Sequence, residues 1–106
     1  MPVYFLQFEA NVAPDHPEAT EIGGALINCW IQSATLAEAI DVARGWLSED
    51  RWIIDEPEEA REVDENFYAG NAAGRMYYRR ALIDGAVIVA HRYPIDEEPH
   101  ADHERH

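Results

Sequence analysis

The stretch Ala25-Leu26-Ile27-Asn28-Cys29-Trp30-Ile31-Gln32, followed at once by Ser33-Ala34-Thr35-Leu36-Ala37-Glu38, decides the fold. In its first half Ile27, Cys29 and Ile31 alternate with Leu26, Asn28, Trp30 and Gln32, the period of a strand. Its second half is a helix start. Thr35 and Glu38 make a capping box, in which the Thr hydroxyl accepts from the Glu38 amide and the Glu38 carboxylate reaches back to the cap amide. Leu36, Ala39, Ile40, Ala43, Trp46 and Leu47 then recur at helical spacing, with Glu38, Asp41, Arg44 and Ser48 opposite them.

Upstream, Val3 to Ala10 reads as a first strand, with Tyr4, Leu6, Phe8 and Ala10 on one face and Val3, Phe5, Gln7 and Glu9 on the other. Between the strands, Asn11 to Gly24 carries Pro14, Pro17 and Gly23-Gly24 and reads as a polar loop. Downstream, Trp52-Ile53-Ile54 opens a third strand. Pro57 interrupts it, and Ala60 to Val63 either continues it or returns as a separate strand. A second helix is predicted from Asn71 to Asp84, with Asn71 as cap, Gly85 at C′, and Gly74, Tyr78, Ala81 and Leu82 as its buried stripe. Ala86 to Tyr93 is a β-branched apolar strand.

The order β-β-α-β-α-β predicts an α+β fold: a two-layer sandwich with a mixed four- to five-stranded sheet and both helices on one face, joined by right-handed crossovers. The domain is expected to span 1–93. Residues 94–106, rich in acids, Pro and His, read as a mobile tail. In this general plan the chain resembles small ferredoxin-like α+β domains of uncharacterised bacterial proteins. The resemblance is architectural, rests on no diagnostic motif, and implies no site residue.

Charge narrows the class of partner. The 106 residues hold 21 Asp+Glu against 8 Lys+Arg, a formal net charge of −13. Such a field repels phosphate, so neither nucleic acid nor an anionic membrane is an expected partner. No apolar run approaches the ~20 residues that span a bilayer, and the N-terminus lacks a basic signal-type region. A single cysteine, Cys29, allows no internal disulfide and fits a reducing compartment, so the expected location is cytoplasmic. On the core face of its strand, Cys29 reads as packing rather than as a nucleophile.

Four groups of residues stand out as candidates. The run Asp55, Glu56, Glu58, Glu59 and Glu62, with Asp64 and Glu65, could dock a basic protein or merely guard a strand edge. Phe5, Leu26 and Trp30 fall on the sheet face opposite the expected helices. An aromatic cluster there asks for a cover, which the C-terminal tail or the 11–24 loop would give; a second copy is the other expected answer, hence an expected homodimer. Arg75, Arg79, His91 and Tyr93 are the polar groups a ligand pocket at that dimer interface would use. In the tail His100, His103 and His106 recur every third residue, but without a rigid frame no metal site is assigned. No catalytic set or cofactor motif is legible, so the reading leans away from an enzyme. A non-enzymatic protein-binding module, of an inhibitor, immunity-like or regulatory kind, is expected first. A small-ligand protein or enzyme with an interfacial pocket is the alternative.

Overall fold

A computed structural model of the chain describes residues 1–15 and 22–94. Strands β1 (Val3–Val12) and β2 (Ile22–Gln32) are followed by helix α1 (Leu36–Glu49) and by short strands β3 (Trp52–Ile54) and β4 (Glu59–Val63). A 3₁₀ turn (Asn66–Tyr68) leads to helix α2 (Ala72–Asp84) and strand β5 (Ala86–Pro94). The class is α+β, with one five-stranded sheet and two helices in the expected order. β1 lies at the centre. β2 pairs along one side of it, and β5 lies outside β2. On the other side β3 pairs with Ala10–Val12 and β4 with Val3–Gln7, so they form one edge interrupted at Pro57.

Every pairing is antiparallel, which corrects the expected mixed sheet. β2 and β3 do run in the same direction, but β1 already occupies the place between them, so the β2–α1–β3 crossover jumps one strand. α2 instead carries the chain from one edge of the sheet to the other, where β5 enters against β2.

The helices do not share a face. α1 places Ala39, Ala43 and Leu47 on Leu6, Phe8, Ala10, Ile27, Cys29 and Ile31, a sheet-on-helix layer pair that forms the main core. On the opposite face Ala81, Tyr77 and Tyr78 of α2 pack with Val3, Phe5, Trp30, Val63, Tyr68, Val87 and Val89. The expectation of both helices on one side fails for a simple reason. Both faces of the sheet carry large apolar groups, and one helix layer cannot cover two faces.

The caps explain where the helices begin. The Glu38 amide donates to Thr35 Oγ1 at 3.1 Å, as the capping box predicts. The carboxylate, however, accepts from the Ser33 hydroxyl at 3.4 Å rather than from the cap amide. In α2 the Gly74 amide donates to Asn71 Oδ1 at 2.9 Å, and Gly85 closes the helix at φ 88°. The buried stripe of α2 is turned from the predicted one, with Gly74 and Ala81 buried, Tyr77 and Tyr78 half-buried, and Leu82 exposed.

The two helical glycines make opposite demands. A Cβ at Gly74 would overlap the Tyr68 ring, whereas one at Gly45 would meet nothing within 4 Å. The same substitution is therefore expected to act with opposite signs in urea unfolding. Gly45→Ala should stabilise by about 0.5–1 kcal/mol through helix propensity. Gly74→Ala should destabilise by about 1–3 kcal/mol as α2 is pushed off the 3₁₀ turn.

Candidate functional site

The chain between Pro57 and Asn71, which the sequence leaves undetermined, builds two adjoining features: an acidic sheet edge and an aromatic cleft. The edge comes first. Asp55, Glu56, Glu58, Glu59 and Glu62 are all exposed on the outer margin of β3–β4. Arg44 pairs with Glu56 at 3.1 Å and Arg61 with Glu59 at 3.6 Å, both near the surface. Asp55, Glu58 and Glu62 form no ion pair among the described residues. Beyond β4, Glu65 receives the Arg79 guanidinium, whose hydrogen bond holds the carboxyl below its usual range. The margin thus stays strongly negative although three arginines lean on it.

The cleft lies inward of this edge, on the α2 face. It encloses about 290 Å³ between the first turn of α2 and the sheet, and its walls include Phe5, Trp30, Phe67, Tyr68 and Tyr77 with Asn28 and Glu59. Trp30 is its keystone: only 5% exposed, it stacks on Tyr77 at 4.7 Å and 26° and tilts against Phe5 at 5.2 Å. Its indole N–H donates to the Tyr68 hydroxyl at 2.7 Å, which satisfies a buried donor that would otherwise be costly. The Gln7 side-chain amide donates to Asn28 Oδ1 at 3.0 Å on the neighbouring sheet surface. Tyr68 and Phe67 pack edge to face at 5.0 Å, and Arg61 caps the Phe67 ring at 4.5 Å.

These placements alter the reading of the other candidates. Phe5 and Trp30 are covered by this chain's own α2 and 3₁₀ turn, so the aromatic cluster needs no second copy to shield it. Leu26 sits lower on that face, half-buried and opposite His91. The polar set Arg75, Arg79, His91 and Tyr93 does not converge. Arg79 is engaged by Glu65, His91 is exposed on β5, and none of the four lines the aromatic cleft. Burial pushes the Cys29 thiol up to about 12, which suits packing and not nucleophilic attack. His100, His103 and His106, and the tail from residue 95 onward, lie outside the described residues. No helix among the described residues is long and apolar enough to cross a membrane.

No known protein family, curated protein or solved structure matches the chain.

Sequence reasoning missed Tyr68, Phe67 and Tyr77. The available signal was the aromatic pair Phe67-Tyr68 just ahead of Gly70 and the Asn71 cap, a turn that folds back before a helix. Burial raises the Tyr68 pKa above its ordinary value of 10.0, although the Trp30 hydrogen bond acts in the opposite sense. Folding therefore favours the neutral phenol. The stabilisation from this group is whole below that ordinary pKa and is lost as pH rises through the raised one. Tyr68→Phe strands the Trp30 N–H. It should cost about 1–3 kcal/mol at neutral pH. It should also flatten the alkaline fall in stability, both read from urea unfolding at neutral and alkaline pH.

Proposed function

We propose that the chain is a non-enzymatic protein-binding module of an inhibitor or regulatory kind, which docks a basic partner on its acidic β3–β4 edge. The observation that carries this reading is the set of carboxylates at Asp55, Glu58 and Glu62, exposed and without ion pairs among the described residues, beside the exposed Glu56 and Glu59. Such a row keeps an unsatisfied field pointing outward, which speeds encounter with a positively charged surface and fixes its register. The excess of acids over the whole chain extends that field. Charges on such an edge also guard it against strand pairing. The function is accordingly one of masking or adapting a basic protein in a reducing, cytoplasmic setting. The likeness to ferredoxin-like domains is one of small α+β architecture and contributes nothing to the docking surface.

A second reading, a small-ligand protein, is favoured by the aromatic cleft, whose size sits at the lower end of small-molecule sites. Asn28 and Glu59 would orient a planar ligand against Phe5 and Tyr77. Ligand entry in that case should quench the Trp30 fluorescence and should be abolished by Tyr77→Ala.

The two readings separate in one experiment. Immobilised full-length chain is challenged with host lysate and eluted in a salt gradient, beside a triple variant with Asp55 changed to Asn and Glu58 and Glu62 changed to Gln, none of which lines the aromatic cleft. A basic protein retained in stoichiometric amount and released at moderate salt is expected. Its affinity for the triple variant should fall about tenfold or more, since rim charges act mainly on association. Equal retention by both proteins would sink the acidic-edge reading.

A further inference from the structure

The opposite edge of the sheet has a different chemistry. β5 runs for nine residues, Ala86 to Pro94, and carries no acid, whereas residues 55–65 on the far edge carry seven. No strand among the described residues pairs with its outer side. The direction of its free backbone groups follows from one bond. The Gln32 N–H donates to the Gly85 carbonyl at 2.9 Å, which makes Ile31 and Ala86 a pair whose own N–H and C=O groups point apart. By alternation Ala86, Ile88, Ala90 and Arg92 turn their backbone groups to the open edge, while Val87, Val89 and His91 bond β2. Long edges of this kind are rarely left bare, and the usual guards of charge or an internal Pro are absent between Ala86 and His91.

Beside this edge, on the α1 face, a cleft of about 460 Å³ is lined by Trp46, Leu47, Glu49, Asp50 and Ile88. It has an apolar wall, with Trp46 51% exposed, and two carboxylates that form no ion pair among the described residues. The C-terminal end of α1 adds its own negative dipole there. The cleft is therefore apolar on one side and acidic on the other, with Asp50 also accepting from the Trp52 indole N–H at 3.1 Å.

We propose that β5 is the seat of a two-fold dimer, in which β5 of a second copy pairs antiparallel about Ala90 and Arg92 of each copy enters the α1–β5 cleft of the other. The register is not arbitrary. Full overlap of two strands spanning 86–94 puts the axis at residue 90, the smallest side chain in the middle of the strand, with its N–H and C=O facing outward. That register sets Arg92 of one copy directly across from Ile88 of the other, the residue that floors the acidic cleft. On the other face it sets Val89 beside His91. To reach the cleft Arg92 leaves the Trp52 ring, over which its guanidinium lies at 5.9 Å, near the outer limit of a cation–π contact. The second copy, rather than some other strand, is favoured by this match of Arg92 to Glu49 and Asp50. Homotypic pairing at the acidic edge would instead set carboxylate against carboxylate. The dimer uses the edge that the proposed partner-docking surface does not, so it stands independently of that reading.

Sedimentation of the full-length chain from low to high micromolar concentration, with residue-resolved hydrogen exchange, tests the proposal. A reversible dimer is expected, with the Ile88, Ala90 and Arg92 amides slowing as concentration rises and Val87 and Val89 unaffected. Arg92→Glu, at an exposed position, should weaken the dimer about tenfold or more. Adding Glu49→Arg to it should recover the loss. Ala90→Pro removes only an outward N–H and should give a folded monomer. A monomer at every concentration, as when another segment of the chain covers β5, would overturn the proposal. So would head-to-tail assemblies larger than a dimer, or a dimer indifferent to both Arg92→Glu and Ala90→Pro.

Discussion

The burial of Trp30 against Tyr68 and Tyr77 governs the layout of the molecule, because it forces the second face of the sheet to be a core. Its neighbours in β2, Cys29 and Ile31, point to the α1 side and are sealed there. Trp30 must then face the other way, into whatever can cover a large ring with a polar edge. The 3₁₀ turn supplies a hydroxyl for the indole N–H and α2 supplies a ring to stack on it. Once Tyr68 is fixed there, α2 has to pass it at close range, and only a residue without a side chain fits at position 74. The Asn71 cap, which accepts from the Gly74 amide, starts the helix at the height where that passage is possible. One buried donor thus sets the turn, the start of α2 and the side of the sheet on which it lies.

Much of this plan is legible in residue pattern. The alternation in β1 and β2, the Thr35 and Asn71 caps and the Gly85 stop are local signals, and local geometry answers to them. What is not legible is which neighbour a strand will find. Trp52–Ile54 and Ala60–Val63 read as strands, yet nothing in them says that both pair with β1 end to end rather than with each other. The side taken by α2 is equally non-local. Its stripe is weak: its fully buried side is only Gly74 and Ala81, and its charges and tyrosines surround it. The clue lay in the sheet, where Phe5 and Trp30 already demanded a cover. That demand was readable, but a second copy, a loop and a helix of the same chain satisfy it equally well in sequence.

The candidate sites divide along the same line. The acidic run is visible as composition, and its position on a margin follows once Pro57 is seen to break an edge strand rather than end it. The cleft is not visible, since it is assembled from β1, β2, β4, the 3₁₀ turn and α2. In sequence Arg75 and Arg79 are candidates for the polar wall of a ligand pocket. Arg79 is instead drawn to Glu65 and Arg80 to Asp84, because in a chain so rich in acids the nearest carboxylate competes with any ligand for each guanidinium.

That scarcity of cations gives the two sheet edges their unequal character. Arg44, Arg61 and Arg79 all lean toward the β3–β4 side, and even so Asp55, Glu58 and Glu62 form no ion pair among the described residues. β5 carries its own cation, Arg92, and no acid. A sheet whose edges were equally charged would either repel every strand or accept any. Here the negative margin resists a copy of itself and suits a basic surface, while the acid-free margin has no strand paired on its outer side among the described residues. A closed two-fold pair at β5 would leave both acidic margins outward. The charge that keeps such assemblies apart from one another would then be the same charge available to a basic partner.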